Sequence, residues 1–88
     1  MTSNSILLEV ITPAELFYKG QVEMLIVNTL NGQEGFMANH AWACKLLADG
    51  KLRIKEAGQS TFREAKLVGG YVDIKDEFLV YADHAEWL

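Results

Sequence analysis

The chain has 88 residues, a length typical of a single domain with a thin core, because such a domain buries only about 60 to 65% of its unfolded surface. Half of the residues are hydrophobic and 23% are charged, which argues against a disordered or fibrous protein. Eight basic residues against twelve acidic ones give a net charge of -4 without a basic cluster. Nucleic acid is therefore not an expected partner.

Short apolar segments separated by turn signals run along the first half of the chain. Residues 5–11 alternate as a strand does, and the pattern stops at Pro13, which cannot donate to a sheet ladder. Two further strands are predicted at 15–20 and 22–29, followed by the turn signal Asn31-Gly32.

The second half continues in the same way. The dipeptide Asp49-Gly50 predicts a hairpin that joins a strand at 43–48 to one at 51–57. Gly69-Gly70 interrupts a longer apolar run as a bulge or bend would, and two more strands flank Asp76. The sequence therefore predicts an all-β fold, an antiparallel sandwich of about ten short strands in two sheets.

No pattern of catalytic, metal or nucleotide chemistry stands out. Cys44 would need a base such as His40 or His84, and neither spacing is diagnostic. On a strand, Cys44 shares its face with Trp42 and Leu46, so we expect a half-buried, inert thiol. The spacings of zinc sites, phosphate loops and dinucleotide sites are missing, so we expect no metal and no cofactor.

The compartment and the surface follow from simpler features. A single cysteine makes no internal disulfide, and neither a signal peptide nor an apolar run of roughly 18 to 20 residues is seen, which predicts a soluble, cytoplasmic domain. Residues 24–27 are apolar on both faces of their strand, so a partner is expected to cover the face of Met24 and Ile26. The penultimate Trp87 is expected to pack back on the domain or into a partner.

Four motifs in a fixed order carry a family resemblance: GQEGFMANHA at 32–41, DGKLRI at 49–54, GGYVDI at 69–74 and VYADHAE at 80–86. Together they closely resemble the amino-terminal β-sandwich domain of the epsilon subunit of F-type ATP synthases, from about Leu8 to Glu86. The chain departs from the family pattern where Gln33 replaces a glutamate, with Glu34 one place on, where Ala38-Asn39 replaces Pro-Gly, and where Trp42 replaces a proline.

The resemblance implies a non-catalytic rotor subunit of the central stalk, which couples the membrane ring of c subunits to the gamma shaft during proton-driven ATP synthesis. Its partners would be gamma and the c-ring, at the cytoplasmic face of a bacterial inner membrane, with no small-molecule substrate. Family members commonly continue into two helices. Because this chain stops at Leu88, we expect a single domain, 1–88, without the inhibitory helices and their ATP site.

Site residues carry over by position. The resemblance implies that the c-ring edge comprises Asn31, Gly32, Gln33 and Glu34, and Glu34 is the candidate for the charge that meets an arginine of the ring. The residues expected to face gamma are Thr12, His40 and Lys45, together with Met24 and Ile26.

Two alternatives of other classes stay open. One is a generic β-sandwich binding module, for example for carbohydrate, with Trp42 and Trp87 as stacking platforms. The other, least favoured, is a small hydrolase built on Cys44 and His40.

Overall fold

The computed structural model describes residues 4–38 and 42–88. These residues form nine β-strands. In chain order the strands are β1 (Ile6–Ile11), β2 (Leu16–Thr29), β3 (Gly32–Met37), β4 (Ala43–Leu46), β5 (Gly50–Glu56), β6 (Phe62–Val68), β7 (Tyr71–Ile74), β8 (Phe78–Tyr81) and β9 (His84–Trp87).

Alternate side chains of the strands point into one core, as the period of two along a strand requires. Because most strands bury only one face, they lie in two layers that meet across this core. The predicted all-β sandwich is confirmed. The largest fully buried side chains are Leu8, Val10, Val22, Leu25, Val27, Phe36, Leu52, Ile54, Val72, Ile74, Phe78 and Val80.

Hydrogen bonds connect the described strands in the order β4-β7-β8-β1-β2-β5-β6-β9, with β3 also paired to β2. We call β4, β7, β8, β1 and the first half of β2 the first layer, and β3, the second half of β2, β5, β6 and β9 the second layer. These described pairs are antiparallel, as predicted, apart from β1 and β8, which run parallel.

A bulge explains how the 14 residues of β2 serve both layers. Val22 lies opposite Glu56 and Met24 opposite Lys55, so one extra residue of β2 is inserted between the two pairs. Buried positions of β2 are even-numbered before the bulge and odd-numbered after it, so both halves face the same core. The predicted break of this segment into two strands is wrong, because Gly20 pairs with β1 inside one continuous strand.

The Asp49-Gly50 hairpin is also wrong. β4 pairs with β7, whereas β5 pairs with β2 and β6. The backbone of residues 46–48 instead bonds to that of residues 28–30, and the chain crosses there from the first layer to the second. The Asp49 carboxylate accepts a hydrogen bond of 2.8 Å from the backbone N–H of Gly69. The dipeptide therefore forms a corner between layers.

Gly69-Gly70 is confirmed as a break, and the chain changes layers there, between β6 and β7. Both glycines have a positive φ, 62° and 100°. A Cβ on Gly70 would overlap the backbone carbonyl of Tyr81. Glycine is required here because it alone has neither the side chain nor the conformational restriction.

Candidate docking surfaces

The hairpin between β2 and β3 presents most of the predicted ring-facing residues. Its loop consists of Leu30 and Asn31, and the following Gly32, with a φ of 107°, pairs with Thr29. Both loop residues have a negative φ, which excludes the primed turn types for this hairpin. We call residues 30–33 the tip; all four are exposed, and Leu30 is 67% exposed.

A buried threonine lies beneath the tip. Thr29 is only 3% exposed, and within the described ranges it is the one buried polar residue. Its Oγ1 accepts a hydrogen bond of 3.1 Å from the N–H of Asn31 and donates one of 2.6 Å to Glu34 Oε2. The carbonyl oxygen of Gly32 lies 3.0 Å away, but a hydroxyl has one hydrogen, and the short distance to a carboxylate marks the stronger acceptor.

The second oxygen of the same carboxylate is also engaged. Lys45 Nζ lies 2.9 Å from Glu34 Oε1, and both side chains are partly exposed. This ion pair joins β3 of the second layer to β4 of the first. The structure thus brings together Glu34, predicted to face the ring, and Lys45, predicted to face gamma, and leaves Asn31, Gly32 and Gln33 as the exposed part of the predicted ring edge.

A row of apolar side chains crosses the first layer. In the strand register, Leu46 lies opposite Tyr71, Tyr71 opposite Tyr81, and Tyr81 opposite Ile11. We call these four residues the apolar band. Leu46 is 62% and Tyr71 40% exposed, and the two tyrosine rings stack with their centroids 4.8 Å apart. An exposed, contiguous apolar patch of this kind is typical of an interaction surface.

The band borders a cavity of about 360 Å³, whose walls include Ile11, Tyr71, Tyr81 and the predicted site residue Thr12. Thr12 closes a turn of its own, because its Oγ1 accepts a hydrogen bond of 3.2 Å from the N–H of Glu15. The band was not among the features predicted from the sequence. Its signal is the presence of apolar residues at the non-core positions of neighbouring strands, and it can be recognised only once the strand order is known.

The cysteine lies at one end of this face. Cys44 is exposed, like Trp42, which is 68% exposed, and Leu46. The prediction of a half-buried thiol is wrong, because the side of β4 that carries these residues points away from the core while Ala43 packs against it.

The outer face of the second layer is charged. Glu64 lies 3.1 Å from Arg53 and 3.4 Å from Lys51, and Lys55 lies 3.3 Å from Glu23. A hydrogen bond from the N–H of Gly58 and the ammonium of Lys55 lower the pKa of Glu23 below its usual value of 4.5. Opposite charges on neighbouring strands neutralise each other across this face.

Met24 and Ile26 lie at the edge of this second face. Both are half-buried, and their side chains flank the position where Gly35 lacks a Cβ. The exposed Met37 pairs with Met24. The residues predicted to face gamma therefore do not form one surface: Met24 and Ile26 lie on the second layer, and Thr12 lies beside the band on the first. His40 is outside the described residues.

Trp87 packs back on the domain, which is one of the two outcomes expected from the sequence. Its ring stacks on Phe17 with the centroids 4.6 Å apart, and the guanidinium of Arg63 lies 4.1 Å from the ring centroid. Tyr18 belongs to the same cluster, and its hydroxyl donates a hydrogen bond of 2.8 Å to Glu56. Burial of the Tyr18 hydroxyl raises its pKa, and the hydrogen bond to Glu56 raises it further. A tryptophan held on Phe17 and covered by Arg63 is poorly placed to act as a stacking platform for sugars.

Within residues 4–38 and 42–88, neither a metal-ligand cluster nor a membrane-spanning helix is present. There, no three His, Cys, Asp or Glu side chains form a group that could hold a metal ion. Nor does that part of the chain include a helix with the length and apolarity of a membrane span.

The described residues form a two-layer β-sandwich with an exposed apolar band on one outer face and a hydrogen-bonded hairpin tip. Residues 5–88 match the family described as ATP synthase, Delta/Epsilon chain, beta-sandwich domain. The chain belongs to this family, and the resemblance seen in its motifs is confirmed.

Individual relatives and structures agree with this assignment. The chain is 42% identical over 81 residues to the ATP synthase epsilon chain of Alkaliphilus oremlandii, covering 91% of this chain and 59% of that one. The epsilon chain of Caldicellulosiruptor bescii is 40% identical, with coverages of 91% and 58%. The chain therefore spans less than two thirds of the length of these relatives.

Two solved assemblies contain a chain of the same fold. In the mitochondrial ATP synthase of Euglena gracilis, a structure of OSCP, F1 and c-ring, the TM-score is 0.88 at 20% identity, covering 99% of this chain and 56% of the other. In the central stalk and c-ring of Tetrahymena thermophila ATP synthase, the TM-score is 0.77 at 13% identity, with coverages of 98% and 69%.

Proposed function

We propose that the chain is a non-catalytic subunit of the central stalk of an F-type ATP synthase. It couples the membrane ring of c subunits to the gamma shaft, so that proton-driven rotation of the ring reaches the catalytic head. The observation that carries the proposal is the apolar band on the first layer, in a chain that belongs to the delta/epsilon family. Its place is at the cytoplasmic face of a bacterial inner membrane, as a peripheral protein.

Gamma binds the outer face of the first layer. The stacked Tyr71 and Tyr81 form a rigid aromatic centre, and aromatic anchors of this kind dominate the energy of many protein interfaces. The cavity beside them, with Thr12 on its wall, receives a side chain of gamma. Met24 and Ile26 belong to a second, smaller contact, because they lie on the second layer.

The ring of c subunits binds the tip. Leu30 supplies exposed apolar surface, and Asn31 and Gln33 supply amide groups for hydrogen bonds. The tip and β4 adjoin each other, since the N–H of Leu30 donates to the carbonyl oxygen of Leu46 at 3.2 Å. The two docking surfaces therefore meet at Leu46, which belongs to the band and contacts the tip.

Rotary coupling requires stiffness more than a pocket, and the architecture supplies it. The described strands are hydrogen-bonded in one continuous order from β4 to β9, through both layers. A load applied at the tip is therefore shared by the sheet, since deformation would require breaking several ladder bonds together.

Co-expression with the gamma subunit of the same source tests the proposal. We expect the two chains to co-elute from a sizing column at micromolar concentration, in a complex that is stable to dilution. Elution of the chain alone, with gamma shown to be folded by its own far-ultraviolet spectrum, would contradict the central-stalk assignment.

A further inference from the structure

We propose that Glu34 is a positioning residue that fixes the tip on β4, and that the tip recognises its partner without a charge of its own. The partner half of this inference, that an uncharged tip binds the c-ring, rests on the proposed function. The positioning half, that Glu34 fixes the tip on β4, concerns the isolated chain and is tested separately.

The carboxylate of Glu34 is fully engaged within the domain. Oε1 is paired with Lys45 at 2.9 Å, and Oε2 accepts the hydrogen bond of Thr29 at 2.6 Å. A carboxylate that turned outward to meet a cation would give up both contacts, and the buried Thr29 hydroxyl would lose its acceptor, which costs free energy. Glu34 is therefore unsuited to the ring-facing role that its sequence position predicts.

The same contacts hold the tip in place. Thr29 Oγ1 accepts the N–H of Asn31, and the N–H of Leu30 reaches the carbonyl oxygen of Leu46. The tip is therefore connected to β4 by the backbone hydrogen bond from Leu30 to Leu46. It is also connected by a series of polar contacts that runs from Asn31 through Thr29 and Glu34 to Lys45. If the ion pair is removed, the acceptor of Thr29 loses its partner on β4, while the backbone bond from Leu30 to Leu46 remains.

The remaining exposed groups of the tip are uncharged. Leu30, Asn31, Gly32 and Gln33 carry one apolar side chain and two amides. Such a surface recognises a partner loop through hydrogen bonds and apolar contact, and its affinity depends weakly on ionic strength because screening acts on charges. The partner loop recognised by this chain is thus selected by amide pairing and shape, with no need for a cation.

Amide hydrogen exchange on the isolated chain tests the positioning role. We expect Glu34→Gln and Lys45→Gln each to accelerate exchange at the amides of Leu30 and Asn31 by about fivefold, and the double variant to add little, because all three lose the same interaction. The matched control is Lys19→Gln. Lys19 lies in the first half of β2, 3.8 Å from Glu9 of β1, so its loss should leave the exchange rates of both amides unchanged. Unchanged tip exchange in Glu34→Gln and Lys45→Gln would overturn the positioning role, whatever the chain binds.

Binding to the purified c-ring of the same source tests the partner half. If Glu34 positions the tip, Lys45→Gln weakens binding as much as Glu34→Gln does, roughly threefold to tenfold, and wild-type affinity changes less than about twofold between about 50 and 300 mM salt. If Glu34 is itself the ring contact, Lys45→Gln frees it and binding is retained or tightened, which would overturn the inference. A wild-type chain that fails to bind the ring counts against the proposed function, while the exchange result stands by itself.

Discussion

The two outer faces of the sandwich are built from the same alternating strands, and yet their chemistry is opposite. On the second layer, Arg53 lies opposite Glu64, and Lys51 and Lys55 also pair with acidic side chains of neighbouring strands. On the first layer, the corresponding rows include the apolar band from Leu46 to Ile11. The core requires only every second residue, so the outward residues are free to differ. A face of paired charges is well solvated by water, whereas an exposed apolar face is stabilised when a partner buries it.

Energetics sharpen this contrast. The ion pairs of the second face are solvent-accessible, and such pairs contribute little to stability. Fully burying one large apolar side chain contributes about 1.5 to 3 kcal/mol. Burying the first face against a partner therefore releases more free energy than burying the second face.

The largest expected effect comes from placing a charge in the band. Tyr71→Arg should weaken the complex with gamma by about 30-fold or more, because it removes half of the tyrosine stack and buries an unpaired cation at the interface. The matched control is Phe62→Arg, the same kind of change on the second face, for which we expect less than about a twofold effect. Calorimetric titration of gamma measures both, and equal losses in the two variants would show that the faces do not differ in this way.

Removing Trp87 should have the next largest effect, on stability. Trp87→Ala deletes the stack on Phe17, which joins β9 to the start of β2, and the contact with Arg63 of β6. Because the ring is 37% exposed, we expect a loss of about 2 to 3 kcal/mol, below the cost at a fully buried position. Urea unfolding followed by far-ultraviolet circular dichroism measures it, and Trp42→Ala, at a site 68% exposed, is the control that should change little.

The strands were predictable from the sequence because alternation is a local property. The runs around Leu8 and Ile54 bury every second residue, as their pattern predicts. The Asp49-Gly50 corner was not, since the same dipeptide suits any sharp reversal, and the strand that follows is paired by contacts made elsewhere in the chain. The continuous β2 was missed because Gly20 is a weak strand residue, which the tertiary structure accommodates beneath the ring of Tyr18.

The docking surfaces were less predictable than the strands. The tip was found because Asn31-Gly32 is a local turn signal and because the family motif includes it. The Glu34 and Lys45 pair joins edge strands of different layers, and nothing in the sequence places these strands side by side. The band likewise combines residues from β4, β7, β8 and β1, whose order in the sheet is not their order in the chain.

The smallest expected effect concerns the charged face at low pH. In the folded chain, the hydrogen bond from Gly58 and the charge of Lys55 hold the pKa of Glu23 below its usual value of 4.5. A lowered pKa in the folded state means that this contribution to stability is complete above the usual value and is lost as the pH falls through the folded value. Glu23→Gln should therefore reduce stability slightly near pH 7, and its stability should decline less steeply than that of the wild type between about pH 5 and pH 3.

Urea midpoints at several pH values measure this difference, with Glu77→Gln as a control in the exposed turn between β7 and β8. Parallel pH profiles for Glu23→Gln and the wild type would contradict the assignment. The effect should be small because Glu23 lies at the surface, where water and salt screen its interactions. A small effect is expected for the charged face because several ion pairs share its contribution to stability. In the band, by contrast, a single substitution is expected to weaken the binding of a partner strongly.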